Sequence, residues 1–139
     1  MEQATPYLTF FGNCEEAMEF YKNTFQAEES SLMRFSEMPP NPAFPIPDEA
    51  LNLVMHAHIK SGSLMLMASD SFEPVTIGTN VNLSLNFSDE ATQTDLFNKL
   101  SAGGQVIMPL QDTFWGARYG QCTDKFGISW MFNHDKTQG

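Results

Sequence analysis

The chain repeats itself, and this repeat limits the folds open to it more than any other feature does. Shifted by 75 residues, the first half matches the second half at these positions: Leu8, Thr9, Phe10, Glu15, Asn23, Phe25 and Ala27 fall on Leu83, Ser84, Leu85, Glu90, Asn98, Leu100 and Ala102. A shift of 76 matches 11–12 with 87–88 instead, and the choice matters because a slip of one residue turns every strand side chain to the opposite face. The repeat predicts two copies of one supersecondary unit.

The first copy has the pattern of a strand, a helix and three strands. Residues 7–12 are rich in β-forming side chains and stop at a Gly-Asn pair, which predicts a strand followed by a turn. Asn13 is a good N-cap for the helix that follows, whose apolar stripe consists of Cys14, Ala17, Met18, Tyr21 and Phe25. The next predicted strands are 30–38, 51–60 and 63–69. Five prolines in 39–47 exclude a helix or a central strand there.

The second copy follows the same order. A strand at 81–87 leads to a helix capped by Ser88, which ends near Ala102 at a Gly-Gly stop. Three strands follow at 106–113, 117–123 and 128–133. In the first strand, Leu83, Leu85 and Phe87 should lie under the helix, so that Asn82, Ser84 and Asn86 face the other way. This polar row either lines a ligand cavity or simply faces solvent.

Composition excludes several classes of protein. A length of 139 residues favours one domain. The net charge of −10 disfavours binding to nucleic acid or to anionic membranes, and it favours cationic ligands. No apolar stretch approaches the roughly 20 residues that span a bilayer, and the first residues lack a signal pattern, so we expect a cytoplasmic protein. Cys14 and Cys122 are far apart without a CxxC spacing, and both should be reduced.

The paired units, the opening segment 6–21 (PYLTFFGNCEEAMEFY) and the block 113–130 (TFWGARYG followed by TDKFGISW) resemble the PhnB-like branch of the glyoxalase/bleomycin-resistance/dioxygenase superfamily, also called vicinal oxygen chelate. The resemblance implies an α+β fold in which two βαβββ modules, about 4–70 and 80–135, form a cup within a single domain, 1–139. It also implies a homodimer that completes the cup.

Enzymes of that superfamily hold a divalent metal with four His, Glu or Asp side chains. Carried over by resemblance, these positions fall on Pro6, Met67, Asn82 and Met131, none of which is a His or a carboxylate. The usual metal site therefore looks absent, and we expect no cofactor. His56 and His58 share one face of a predicted strand and form an alternative metal site, or else they are two half-exposed histidines on an outer face.

Other side chains suit an organic ligand. Trp115, Arg118 and Tyr119 lie in the block most specific to the family and could stack on or clamp a planar or anionic molecule, or they could be packing residues. Cys14, in the first helical turn, is either a reactive thiolate or a core residue. The predicted ligand-binding residues are Phe10, Met67, Asn82, Ser84, Trp115, Arg118, Tyr119 and Met131. No catalytic residue can be assigned.

Two functions from different classes follow from the resemblance. The first is a binding protein that takes up a small organic molecule in a cup without a metal, as bleomycin-resistance proteins sequester a cationic drug. The alternative is a lyase, isomerase or transferase, with or without a metal. A methyltransferase label is also attached to this branch, but a nucleotide-type methyl donor usually sits on a glycine-rich turn between a strand and a helix, whereas the Gly-Gly pair at 103–104 follows a helix.

Overall fold

A computed structural model describes residues 1–136. In the first half the elements are β1 (Tyr7–Phe10), α1 (Cys14–Phe25), β2 (Glu29–Arg34), β3 (Val54–Ser61) and β4 (Leu64–Asp70). In the second half they are β5 (Leu83–Phe87), α2 (Glu90–Ser101), β6 (Gln105–Asp112), β7 (Ala117–Thr123) and β8 (Ser129–Asp135). The chain divides between Thr76 and Ile77 into two compact units, which we call the first and the second unit.

Both units have the same sheet topology. The strand order is β1-β4-β3-β2 in the first unit and β5-β8-β7-β6 in the second. In each, the first strand pairs parallel with the last, and the other pairs are antiparallel. The predicted repeat of an α+β, strand-helix-three-strand unit is therefore confirmed. Neither helix, at 12 residues each, is long and apolar enough to cross a membrane, and no other helix within residues 1–136 is either.

Each helix packs on one face of its sheet, because both the helix and the sheet present an apolar surface there. In the first unit the buried side chains on the helix and the sheet include Leu8, Phe10, Cys14, Ala17, Met18, Tyr21, Val54, Ala57, Ile59, Leu66 and Ala68. In the second unit Phe97 of α2 meets Phe132 of β8 edge-on, with ring centroids 5.0 Å apart. Gly120 of β7 makes room for this contact, since a Cβ atom there would lie 3.1 Å from the Phe97 ring.

The two halves do not match at one constant shift. The helices begin at Cys14 and Glu90 and have equal lengths, so they correspond at 76 residues. The side chains that face the helix are Leu8 and Phe10 in β1, and Leu83, Leu85 and Phe87 in β5. Because strand side chains alternate between the two faces, matching these two sets requires an odd shift such as 75. The shift of 75 is therefore wrong for the helices.

The helix caps differ from the prediction. Ser88 is not the cap of α2, because Asp89 occupies that position and its side chain accepts a hydrogen bond from the Thr92 nitrogen at 2.8 Å. Asn13 does occupy the cap position of α1, but its side chain makes no cap hydrogen bond. Several strand boundaries also differ, and the largest differences are at β2, which ends at Arg34 just before a 3-10 turn, and at β3, which starts at Val54.

Candidate functional site

Each sheet has a face that does not contact the helix, and we call it the open face of that unit. The open face of the second unit is defined by alternate residues of β5, β7 and β8: Ser84, Asn86, Tyr119, Gln121, Met131 and Asn133. Cross-strand pairing joins them into two rows, one centred on Met131 and the other on Asn133. The intervening residues of β8, Trp130 and Phe132, are fully buried under α2, which accounts for the alternation.

The open face of the second unit carries uncharged hydrogen-bonding groups around apolar ones. Asn133 Nδ2 lies 3.4 Å from Asn86 Oδ1. Burial raises the pKa of the Tyr119 hydroxyl above its ordinary value, so this group remains a protonated donor at neutral pH. No hydrogen bond from another described residue engages that hydroxyl. Met131 pairs with Ser84 on one side and Gln121 on the other. The face can therefore contact an organic molecule and orient it.

The structure brings together three of the predicted ligand-binding residues, Ser84, Tyr119 and Met131, on this open face. Asn82 directly precedes β5 and is half-buried. Met67 belongs to the first unit, where it pairs with Tyr7 and His58.

Phe10 and Arg118 are not on an open face. Phe10 is 3% exposed in the core under α1. Arg118 Nη1 donates to three acceptors of α2: the Glu90 carbonyl at 3.3 Å, Gln93 Oε1 at 3.1 Å and Thr94 Oγ1 at 2.9 Å. The guanidinium group therefore ties β7 to α2, and the arrangement does not support a role for it in holding a ligand.

Trp115 lies in the turn that joins β6 to β7. Its side chain is 58% exposed, and its ring stands perpendicular to that of Phe114 with centroids 5.0 Å apart. The turn is tightly hydrogen-bonded, since the Thr113 nitrogen donates to the Ala117 carbonyl at 2.8 Å and the Ala117 nitrogen donates to Thr113 Oγ1 at 3.0 Å. A rigid turn thus presents two aromatic side chains away from the core of its unit.

The open face of the first unit carries the two histidines. His56 and His58 lie on β3 with ring centroids 6.5 Å apart, and the Tyr7 ring lies 6.1 Å from that of His56. The Ser31 hydroxyl is 2.6 Å from His58 Nδ1. Both histidines are half-buried, and the face they share is the one opposite α1.

The side chains at the superfamily's metal positions do not fit a divalent metal. Pro6 has no donor side chain, Asn82 is a weak ligand, and Met67 and Met131 offer thioethers, which bind zinc or magnesium poorly. Within residues 1–136, no group of three or more His, Cys, Asp or Glu side chains is placed to hold a metal ion. We derive no chemistry through such a metal.

The cysteines are core residues. Burial, together with the nearby Asp70 and Glu15 charges, raises the pKa of the Cys14 thiol to about 12, and burial raises that of Cys122 to about 12 as well. A thiol with such a pKa is protonated at neutral pH and is not a nucleophile. The alternative of a reactive thiolate at Cys14 is therefore wrong.

Some residues of the open faces escaped the list of ligand-binding candidates. Gln121 and Asn133 each lie two positions from a residue that was predicted, Tyr119 or Met131, so the period of a strand already placed them on the same face. Ser31 gave no such signal, because its position beside His58 depends on the pairing of β2 with β3.

Comparison with known proteins identifies the relatives of this chain. Residues 2–132 match the sequence model of the family described as 3-demethylubiquinone-9 3-methyltransferase. The protein YjdN of Escherichia coli is 32% identical, with 96% of each chain covered. The crystal structure of PA1353 from Pseudomonas aeruginosa is 37% identical, with a TM-score of 0.84 over 97% of this chain and 98% of that one.

Two further solved structures relate the chain to the wider superfamily. The putative 3-demethylubiquinone-9 3-methyltransferase PhnB protein from Bacillus cereus is 26% identical, with a TM-score of 0.72 over 96% of this chain and 99% of that one. A glyoxalase/bleomycin resistance protein/dioxygenase from Nocardioides, 16% identical with a TM-score of 0.57 over 100% and 87% of the two chains, shares the fold. The chain therefore belongs to the PhnB-like, 3-demethylubiquinone-9 3-methyltransferase family and has the α+β glyoxalase/bleomycin-resistance fold.

Proposed function

We propose that the protein binds a small organic molecule on the open face of the second unit, without a divalent metal. The observation that carries this proposal is the Tyr119 hydroxyl, which has no hydrogen-bond partner among the described residues and is protonated at neutral pH because burial raises its pKa. Tyr119 is the cross-strand partner of Asn133, which in turn pairs with Asn86, so the three residues form one row of the open face. Polar groups that converge around an apolar surface are typical of ligand sites. Ser84, Gln121 and Met131 form the adjacent row and supply further polar and apolar contact.

The charge of the protein favours a cationic ligand. The net charge of −10 attracts cations over a distance, while the open face of the second unit itself lacks charged side chains among the six residues that define it. A ligand with a cationic tail and a neutral hydrogen-bonding body fits both properties. Bleomycin-type glycopeptides have this chemistry, and they are the first probe we suggest.

The connections between strands and helices do not suit a methyltransferase that uses a nucleotide-type methyl donor. The described chain has two connections from a strand to a following helix, 11–13 and 88–89, and together they contain one glycine, Gly12. A glycine-rich turn for a nucleotide-type methyl donor requires several. Gly103 and Gly104 follow α2 and lead into β6, so they end a helix instead.

We also propose that the protein is a cytoplasmic homodimer. Two of the edge strands, β2 and β6, expose apolar side chains, Leu32 and Met33 in one and Val106 and Ile107 in the other, and edges of this kind are usually covered. The two free, buried cysteines agree with a reducing compartment. Sedimentation equilibrium tests the dimer, and a single species at the monomer mass of 15.6 kDa at high micromolar protein would contradict it.

The binding proposal is tested by titrating the protein with bleomycin-type cations while recording the amide and methyl NMR spectrum. We expect saturable shifts at Tyr119, Met131 and Asn133. Replacing Asn133 by Ala or Tyr119 by Phe should weaken binding by about fivefold, because a neutral hydrogen bond contributes about 1 kcal/mol. Tyr7→Phe is the matched control, since Tyr7 is on the open face of the first unit and its loss should leave affinity unchanged.

The same titration separates binding from catalysis. A binding protein returns the ligand chemically unchanged after prolonged incubation, whereas a lyase, isomerase or transferase produces new ligand resonances. Absence of any shift at high micromolar ligand contradicts the proposal for this ligand class. Equal affinity of the Tyr119 and Asn133 variants and the parent contradicts the proposed face.

A further inference from the structure

A second cluster of ligating side chains lies on the open face of the first unit, where no comparison assigns a site. Met33 of β2 is the direct cross-strand partner of His56, and Met67 of β4 is that of His58. We propose that these four side chains bind a soft monovalent metal cation of the Cu(I) or Ag(I) type. This site lies in the other unit from the proposed organic-ligand site and does not depend on it.

The chemistry of the four donors selects the class of ion. Thioether sulfur is a poor ligand for zinc, magnesium or calcium, but Met and Cys sulfur atoms select Cu(I), and imidazole binds copper as well. No carboxylate belongs to the cluster, so it offers nothing that a hard divalent ion prefers. Two neutral imidazoles with two thioethers therefore form a donor set for a soft monovalent ion.

The register of the sheet places the four donor residues next to one another on one face. Directly paired strand residues have Cβ atoms about 4.5–5.5 Å apart, and His56 and His58 lie on the same side of one strand with ring centroids 6.5 Å apart. Met33 and Met67 flank this histidine pair from the two neighbouring strands. Because Met has three rotatable bonds, its sulfur can move toward an ion without a change in the backbone.

The histidine nitrogens are available for an ion. Ser31 Oγ lies 2.6 Å from His58 Nδ1. In the tautomer in which Nδ1–H donates to this oxygen, the hydrogen bond orients the ring and leaves Nε2 for a metal, as second-shell hydrogen bonds do in known metal sites. The imidazole of His56 forms no hydrogen bond with any other described residue, and its aromatic neighbours among these residues are Tyr7 and His58.

The charge of the first unit favours a cation. Residues 1–76 contain eleven acidic and three basic residues, a net charge of −8, whereas the remainder of the chain carries −2. Most of the negative potential of the protein therefore surrounds the unit that holds the four donors, which raises the local concentration of cations.

Silver(I) is the probe, because it has the ligand preferences of Cu(I) without the redox chemistry. Protein labelled with ¹³C at the methionine methyl groups should show saturable shifts at Met33 and Met67 on addition of one equivalent of silver nitrate. The double variant Met33→Leu/Met67→Leu should bind more than about tenfold more weakly, since even second-shell changes cost about 10–100-fold. Met18→Leu is the matched control, because Met18 is buried on α1, which packs on the opposite face of this sheet.

Three results would overturn the proposal. One is equal silver affinity in the parent and in the double methionine variant, with circular dichroism showing that both are folded. Another is binding that survives the double variant and disappears in Cys14→Ala/Cys122→Ala, because the metal would then be held by the thiols. Methyl shifts spread evenly over the nine methionines, with no preference for Met33 and Met67, would likewise contradict it.

Discussion

The Oδ1 atom of Asp70 lies 3.0 Å from the backbone nitrogen of Cys14, so the last residue of β4 caps the first residue of α1. The same oxygen accepts a hydrogen bond from the Gly12 nitrogen at 2.9 Å, and Oδ2 accepts one from the Val54 nitrogen at 2.9 Å. One buried carboxylate therefore joins the start of the helix to two strands, in place of the side-chain cap that Asn13 does not provide.

Replacing Asp70 by Ala should destabilise the protein by about 3–5 kcal/mol, because three backbone donors lose a charged acceptor in a buried position. Urea unfolding monitored by circular dichroism measures the change. Asp70→Asn keeps the shape of the side chain and one acceptor oxygen, so it should cost less. A loss below about 1 kcal/mol for the Ala variant would contradict the capping role.

Replacing Arg118 by Met should lower the free energy of unfolding by about 1–2 kcal/mol, because the hydrogen bonds from its guanidinium group to α2 are lost. Affinity for an organic ligand should stay unchanged in this variant. Chemical denaturation and ligand titration on the same samples separate the two effects. A stable variant with weakened ligand binding would show instead that Arg118 contacts the ligand.

Gly104→Ala should lower the free energy of unfolding by about 3 kcal/mol or more, because the new Cβ atom would lie 2.2 Å from the Thr123 carbonyl oxygen. The atoms that it would meet belong to the backbone and cannot turn aside as a flexible side chain can. Gly62→Ala is the matched comparison: Gly62 has a φ of +58° and no atom within 4 Å of the added Cβ. That change should cost about 1–2 kcal/mol, from backbone strain alone. Thermal unfolding of both variants checks that Gly104→Ala is more destabilising than Gly62→Ala. The ranking would be reversed if the close approach at Gly104 did not matter.

Stability should fall as pH rises from about 9 toward 12. The thiols of Cys14 and Cys122 have an ordinary pKa of 9.0, raised to about 12 in the folded protein. The unfolded chain therefore loses these protons first, which favours unfolding at alkaline pH, while the stabilisation is complete below pH 9. Urea midpoints measured across this range should decline less steeply in Cys14→Ala, and an unchanged slope would contradict the assignment.

Acrylamide should quench the fluorescence of Trp115 and leave that of Trp130 almost unaffected. Trp115 is 58% exposed, whereas Trp130 is fully buried and its Nε1 donates to Asp124 Oδ2 at 2.8 Å. In Trp115→Phe the remaining emission should be nearly insensitive to acrylamide until the protein unfolds. Strong quenching of that variant in its folded state would contradict the burial of Trp130.

Much of the fold could be predicted, because its signals are local. The apolar stripe from Cys14 to Tyr21 predicted α1, and strand alternation placed Leu83 and Leu85 under a helix and Ser84 opposite to it. The cap of α2 was predicted one residue early, at Ser88, since Ser and Asp are comparable caps and the neighbours Ser88 and Asp89 are both candidates.

The candidate sites were predictable only in part. Tyr119 was a candidate because it lies in the block 113–130 that resembles the family, and Met131 because it falls on a carried-over metal position and alternates with Trp130 and Phe132; the structure places both on the open face of the second unit. Arg118 was predicted to bind a ligand, whereas its guanidinium group contacts α2. Nothing near Arg118 in the sequence shows that its partners, Gln93 and Thr94, lie on a helix about 25 residues earlier.

By itself the sequence predicted the repeated unit and the proline-rich loop, because both depend on residue types and their order along the chain. The resemblance to the superfamily then implied that its metal positions fall on residues other than His or carboxylates. Only the tertiary structure established that Asp70 caps α1 and that Met33 and Met67 flank His56 and His58. Those relationships depend on which strands pair and in which register, and pairing joins residues that are distant along the chain through backbone hydrogen bonds that carry no side-chain signature.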